Sequence, residues 1–64
     1  MFVCDLKAFV AKDGKEHLVL EAVNQIRVVH GEVILRNLFG EEKTIQGSVS
    51  EVSLVKSRVV IEQS

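Results

Sequence analysis

Proline, tryptophan and tyrosine are absent from this 64-residue chain, and cysteine occurs once. One cysteine rules out an intrachain disulfide. A domain this small buries only about 60% of the surface its unfolded chain exposes, and it commonly needs a staple. Without a disulfide, a metal, self-association or very close packing must take that role. No stretch approaches the roughly 18 apolar residues of a membrane span, so no membrane partner is expected. No basic segment leads into a long apolar run, so no signal peptide is read. A lone thiol without an export signal places the expected compartment in the cytoplasm.

Charge of either sign is not in excess: eight Lys and Arg stand against nine Asp and Glu, for a net charge of -1. A dedicated nucleic-acid binder usually shows a basic face, so RNA is a possible but not a favoured partner. The cations are scattered from Lys7 to Arg58, and no run of like charge forms an arm or tail. Also lacking are a Ser-His-Asp order, a phosphate-cradling glycine loop and a Cys-x-x-Cys pair. A chain of this size is further expected to lack a pocket of enzymatic volume. The chain therefore reads as a binding protein, not an enzyme.

What is present is a chain rich in Val, Ile and Leu, with hydrophobic residues at 47%. It reads as a packed β core with surplus apolar surface, which favours a homodimer. Period-two alternation places Phe2, Cys4, Leu6, Ala8 and Val10 on one apolar face of a first strand. Asp13-Gly14 is a hairpin signal. It leads into strands over 16–22 and 25–29, with one helical turn possible near Glu21 to Asn24. His30-Gly31-Glu32 is a turn before a strand over 33–38. Phe39 to Glu42 turns again before 43–46. Gly47 breaks or bulges that strand. Residues 49–55 and 58–62 form a last hairpin around Lys56-Ser57. The prediction is a single all-β domain over residues 1–64. Its small bent antiparallel sheet, of five to seven short strands, closes as an SH3-like or Sm-like barrel.

Cys4 is the first candidate for chemistry. It is either a small hydrophobe packed in the core or a thiolate ligand for a late transition metal such as nickel or copper. One thiolate per chain is too few for a closed site. A two-fold dimer supplies two, and backbone nitrogens can supply the rest. His17 is predicted opposite Val10, about 20 Å along the strand from Cys4, which argues against a shared site. His30 reads as a solvated turn residue. Glu41 and Glu42 are neighbours in an apparent turn and are poorly placed for joint acid-base work.

The stretch VCDLKAFVAKDGKE, with Cys4, Lys7 and Asp13-Gly14, and the stretch NLFGEEKTIQG, Asn37 to Gly47, together carry a resemblance. The chain resembles the CooT family of small nickel-binding proteins, whose members are also described as predicted RNA-binding proteins. The likeness runs over nearly the whole chain and rests on the order and spacing of short motifs. It implies a small β fold, a homodimer, and nickel held by the N-terminal cysteine of each subunit, here Cys4. It also implies a metallochaperone or carrier that passes nickel to an acceptor enzyme of carbon monoxide metabolism. In the family this cysteine directly follows the initiator Met, whereas Met1 and Phe2 precede Val3-Cys4 here. A native start at Val3, read as Met, would remove the difference. Two other readings remain open. One is an Sm-like RNA-binding module using Arg27, Arg36, Lys43 and Arg58 with an exposed Phe. The other is a structural or interaction subunit in which Cys4 is inert.

Overall fold

The computed structural model describes residues 6–64. The inward placement expected for Phe2 and Cys4 lies outside the described residues. Five strands follow in order: β1 (Leu6–Lys12), β2 (Lys15–Val29), β3 (Glu32–Asn37), β4 (Glu42–Ser53) and β5 (Arg58–Gln63). Each pairs antiparallel with the next, and β5 returns to β1 to close a barrel. An odd number of consecutive antiparallel strands leaves the first and last running the same way. The closing seam, Lys7–Ala11 against Arg58–Glu62, is therefore parallel. The expected small barrel is found, with this one parallel seam in an otherwise antiparallel ring.

Local chemistry sets two of the turns. Asp13 and Gly14 have φ of 54° and 78°, and His30 and Gly31 have 47° and 78°. Two successive positive φ values define the tight turn whose twist matches a hairpin. The register expected from Asp13-Gly14 is observed, with Ala11 opposite Glu16 and Val10 opposite His17.

Two expected breaks are absent. The strands expected over 16–22 and 25–29 are one bent strand, β2. Its first half pairs with β1 and its second half with β3. The bend takes up irregularities at Val19, Ala22 and Asn24, and Ala22 has a φ of 57°. Extra residues of this kind turn a strand sharply without ending its pairing. A bulge thus stands where a helical turn was thought possible. Likewise β4 runs unbroken through Gly47 and stops at Ser53, so the last turn is Leu54–Ser57. A Cβ at Gly47 would lie 2.0 Å from the Glu62 carbonyl oxygen. Glycine here lets β4 pass against β5.

The core fills the ring from alternate positions. Ala8 faces Val59, Val10 faces Ile61 and Val33 faces Ile45 across their strand pairs. Leu35, Ile61, Val23, Val33 and Val59 are fully buried. On the outer face, Phe9 stands opposite Val60. The Arg58 guanidinium lies 4.8 Å above the Phe9 ring and pairs with Glu16. This clamp ties β1, β2 and β5 together in a chain that has no disulfide.

Candidate functional site

Four segments meet at the end of the barrel where β1 begins. Leu6 pairs with Val23, and Val23 with Asn37. The Leu38 amide donates to the Ala22 carbonyl over 3.1 Å, and the Lys7 amide donates to the Ser57 carbonyl over 3.0 Å. Around this rim the order is the β3–β4 turn, the bend of β2, the start of β1, and the β4–β5 turn. Residue 4 is two peptide units ahead of Leu6.

Asn37 organises one side of the rim. It is 4% exposed, and its side-chain oxygen accepts from the amides of Phe39 and Glu41 at 3.0 and 2.9 Å. Its side-chain nitrogen donates to a Glu41 carboxylate oxygen at 2.7 Å. A buried amide with its hydrogen bonds made fixes the backbone around it. The Leu38–Gly40 turn is thereby held outward, with Leu38 and Phe39 exposed. Glu41 is accordingly a strut of the turn as well as a solvated carboxylate, and Glu42 begins β4.

The other side of the rim is the Leu54–Ser57 turn. The Ser57 amide donates to the Leu54 carbonyl, and the Lys56 amide donates to the Ser53 hydroxyl oxygen. Turns usually draw on Gly, Asn, Asp, Ser and Pro. This one offers Leu54 and Val55, which are 78% and 96% exposed. Sequence alternation alone assigned both to a strand. Their exposure has no local signal, since an apolar residue reads alike whether covered or bare.

An open groove of about 340 Å³ runs beside the β3–β4 turn. Leu18, Leu20 and Phe39 give it apolar walls, and Glu21, Glu41 and Lys43 carry its charges. A second groove of about 360 Å³ lies at the far end, between Asp13-Gly14 and Gln63-Ser64. These volumes are at the low end of ligand pockets, although the sequence was expected to give none of that size.

The remaining candidates are dispersed. His17 and His30 are both exposed, and His30 occupies its hairpin turn. No group of three His, Cys, Asp or Glu is poised to hold a metal among the described residues. Of the cations proposed for RNA, Arg58 is engaged by Phe9 and Glu16. Arg36 stands opposite Glu42 on the neighbouring strand. Phe39 is exposed, but it shares its groove with Glu21 and Glu41. Among the described residues, no helix is long and apolar enough to cross a membrane.

Comparison with known proteins places this architecture. No curated relative matches the chain in sequence. Among solved structures, a crystal structure described as "putative CooT from Carboxydothermus hydrogenoformans" matches with a TM-score of 0.85. The two are 31% identical, and the match covers 95% of this chain and 98% of that one. The family model for the CO dehydrogenase accessory protein CooT matches residues 3–62, a segment that opens one residue before Cys4. With fold, length and sequence in agreement, the chain belongs to the CooT family of CO dehydrogenase accessory proteins.

Proposed function

We propose that this protein is a cytoplasmic nickel carrier serving carbon monoxide dehydrogenase as its acceptor enzyme. In this reading it holds the metal between the Cys4 thiolates of two subunits. The observation that carries the reading is the rim where β1 begins, which exposes Leu38, Phe39, Leu54 and Val55; Cys4 precedes Leu6 by two residues in the sequence. Exposed apolar patches mark association sites. Two copies meeting at this end would bring their two cysteines together. Thiolate is a soft ligand suited to nickel, and deprotonated backbone nitrogens can complete a square-planar set. The chain would bind and release metal rather than turn over a substrate.

Nickel titration of the reduced protein tests this directly. The expected outcome is thiolate-to-nickel absorption that saturates at one metal per two chains and is lost in Cys4→Ser. Equal nickel uptake by Cys4→Ser would refute the assignment. A variant lacking Met1 and Phe2 checks whether the two residues before Val3 weaken the site.

A further inference from the structure

The groove beside the β3–β4 turn is a gap in the barrel wall. Leu18–Glu21 of β2 and Lys43 of β4 both line it. Among the described residues, β2 pairs with β1 alone along Lys15–Glu21, and β4 pairs with β3 alone along Glu42–Ile45. We infer that this groove docks the acceptor enzyme through an extended segment of cationic and apolar character. That segment seats an apolar side chain between Leu18 and Phe39 and sets a Lys or Arg beside Glu21 and Glu41. The identity of the partner rests on the carrier reading, whereas the chemistry of the segment follows from the groove itself.

Three observations define this occupant. The first is depth. Leu20 belongs to the buried core, while Leu18 and Phe39 are exposed above it. Lys43 stands opposite the fully buried Leu35. Directly opposed residues share a face of a sheet, so Lys43 holds a core-facing position and is exposed nonetheless. The wall therefore opens here onto the apolar interior, which suits an inserted apolar side chain. The second observation is charge. Among the described residues the one ion pair is Arg58 with Glu16, so neither groove carboxylate is paired with a cation. The Asn37 side-chain nitrogen, donating over 2.7 Å, already holds the Glu41 carboxylate in place. A group fixed in advance loses little freedom on binding. Two carboxylates against the single ammonium of Lys43 favour a cationic partner. The third observation is the free edge of β2. Lys15–Leu18 keep a continuous register with β1, and the irregularity at Val19 follows. An unpaired edge offers main-chain donors and acceptors to an added strand, with pockets beside it reading the side chains. A lysine and a bulge on an edge restrict such addition, so β2 admits a short segment and not a long one.

Isothermal titration of the full chain with nickel-free carbon monoxide dehydrogenase from the same organism supplies the test. Wild type is expected to bind. Leu18→Asp and Glu21→Lys should each raise the dissociation constant at least tenfold. Lys12→Glu, in the groove at the far end, should bind as wild type does. Glu21 is exposed, so Glu21→Lys should keep the wild-type circular dichroism, sedimentation and nickel uptake, and it carries the test if Leu18→Asp does not fold. No binding by wild type, wild-type affinity in Glu21→Lys, or an equal loss in Lys12→Glu would each overturn the inference. Altered sedimentation of Glu21→Lys would also overturn it, by giving the groove to a second copy of this chain. The two readings fail separately. Enzyme bound through the groove by a protein that takes up no nickel would remove the carrier and leave the docking site. Nickel held through Cys4 in a protein whose enzyme binding ignores Glu21→Lys would do the reverse.

Discussion

Replacing Gly47 with Ala probes the point where the barrel is tightest. The added Cβ would sit 2.0 Å from the Glu62 carbonyl oxygen and 3.0 Å from the Gln63 Cα. Both are backbone atoms, so no side chain can swing aside. Relief requires β4 and β5 to separate by on the order of 1 Å, given an ordinary carbon–oxygen contact above about 3 Å. That separation strains a seam in which Gly47 opposes Gln63 and Ser48 opposes Glu62. The Ser64 amide also donates to Gln46, and the Gly47 amide to Gly31. Losing one or two such bonds costs about 1 kcal/mol each. Gly47 also has a φ of 156°, at the margin of the region that side chains avoid. Strain from an unfavoured backbone geometry adds about 1 kcal/mol or more. The sum is about 2–4 kcal/mol, a large fraction of the roughly 3–10 kcal/mol expected for a domain this size. Urea denaturation followed by circular dichroism measures it, with Gly40→Ala as the control. Gly40 has a similarly disfavoured φ of 81° but open space at its Cβ. It should lose only about 1 kcal/mol. If Gly47→Ala cost no more than Gly40→Ala, the close approach of β4 to β5 would not be the reason for glycine.

Two further substitutions test the supports of the rim and the outer face. Asn37→Ala removes an acceptor from the Phe39 and Glu41 amides and a donor to the Glu41 carboxylate. It should cost about 2–3 kcal/mol by the same denaturation assay. It should also speed amide exchange at Phe39 and Glu41, a local signature that a general loss of packing would not give. Arg58→Ala should cost about 1–2 kcal/mol, because it removes an aromatic contact as well as an ion pair. Glu16→Gln should cost under about 1 kcal/mol, since the pair is solvent-exposed. An equal loss from both would place the value of the clamp in the ion pair rather than in the Phe9 contact.

Features encoded by neighbouring residues were legible in the sequence. Asp13-Gly14 specifies its turn through two adjacent backbone angles, and the pairing of Val10 with His17 follows by counting away from it. Alternation likewise marked Ala8 and Val10 as core. Features decided by distant segments were not legible. Gly47 reads as a break when only its neighbours are considered, yet its cause is Glu62, fifteen residues on. Ala22 gives no sign of a positive φ, and the bend there answers to the different partners of the two halves of β2. Asn37 looked like a strand residue, although asparagine commonly bonds the backbone just beyond itself and could have suggested the turn it holds. At the candidate site, sequence singled out Cys4. The apolar rim where β1 begins depends on which of many similar side chains the fold leaves bare.

The parallel seam separates the two ends of the chain. Because β1 and β5 run the same way, β1 begins at the rim that exposes Leu38, Phe39, Leu54 and Val55, and β5 leaves toward the opposite face. Six residues of β5 span about 20 Å. An affinity tag, fluorophore or surface tether placed after Ser64 therefore departs from the far end, beside Asp13-Gly14. An extension before Leu6 emerges instead among Val23, Asn37 and Ser57. Immobilisation through the C-terminus leaves the rim facing solution, whereas an amino-terminal tag crowds the place where metal and partner are proposed to meet.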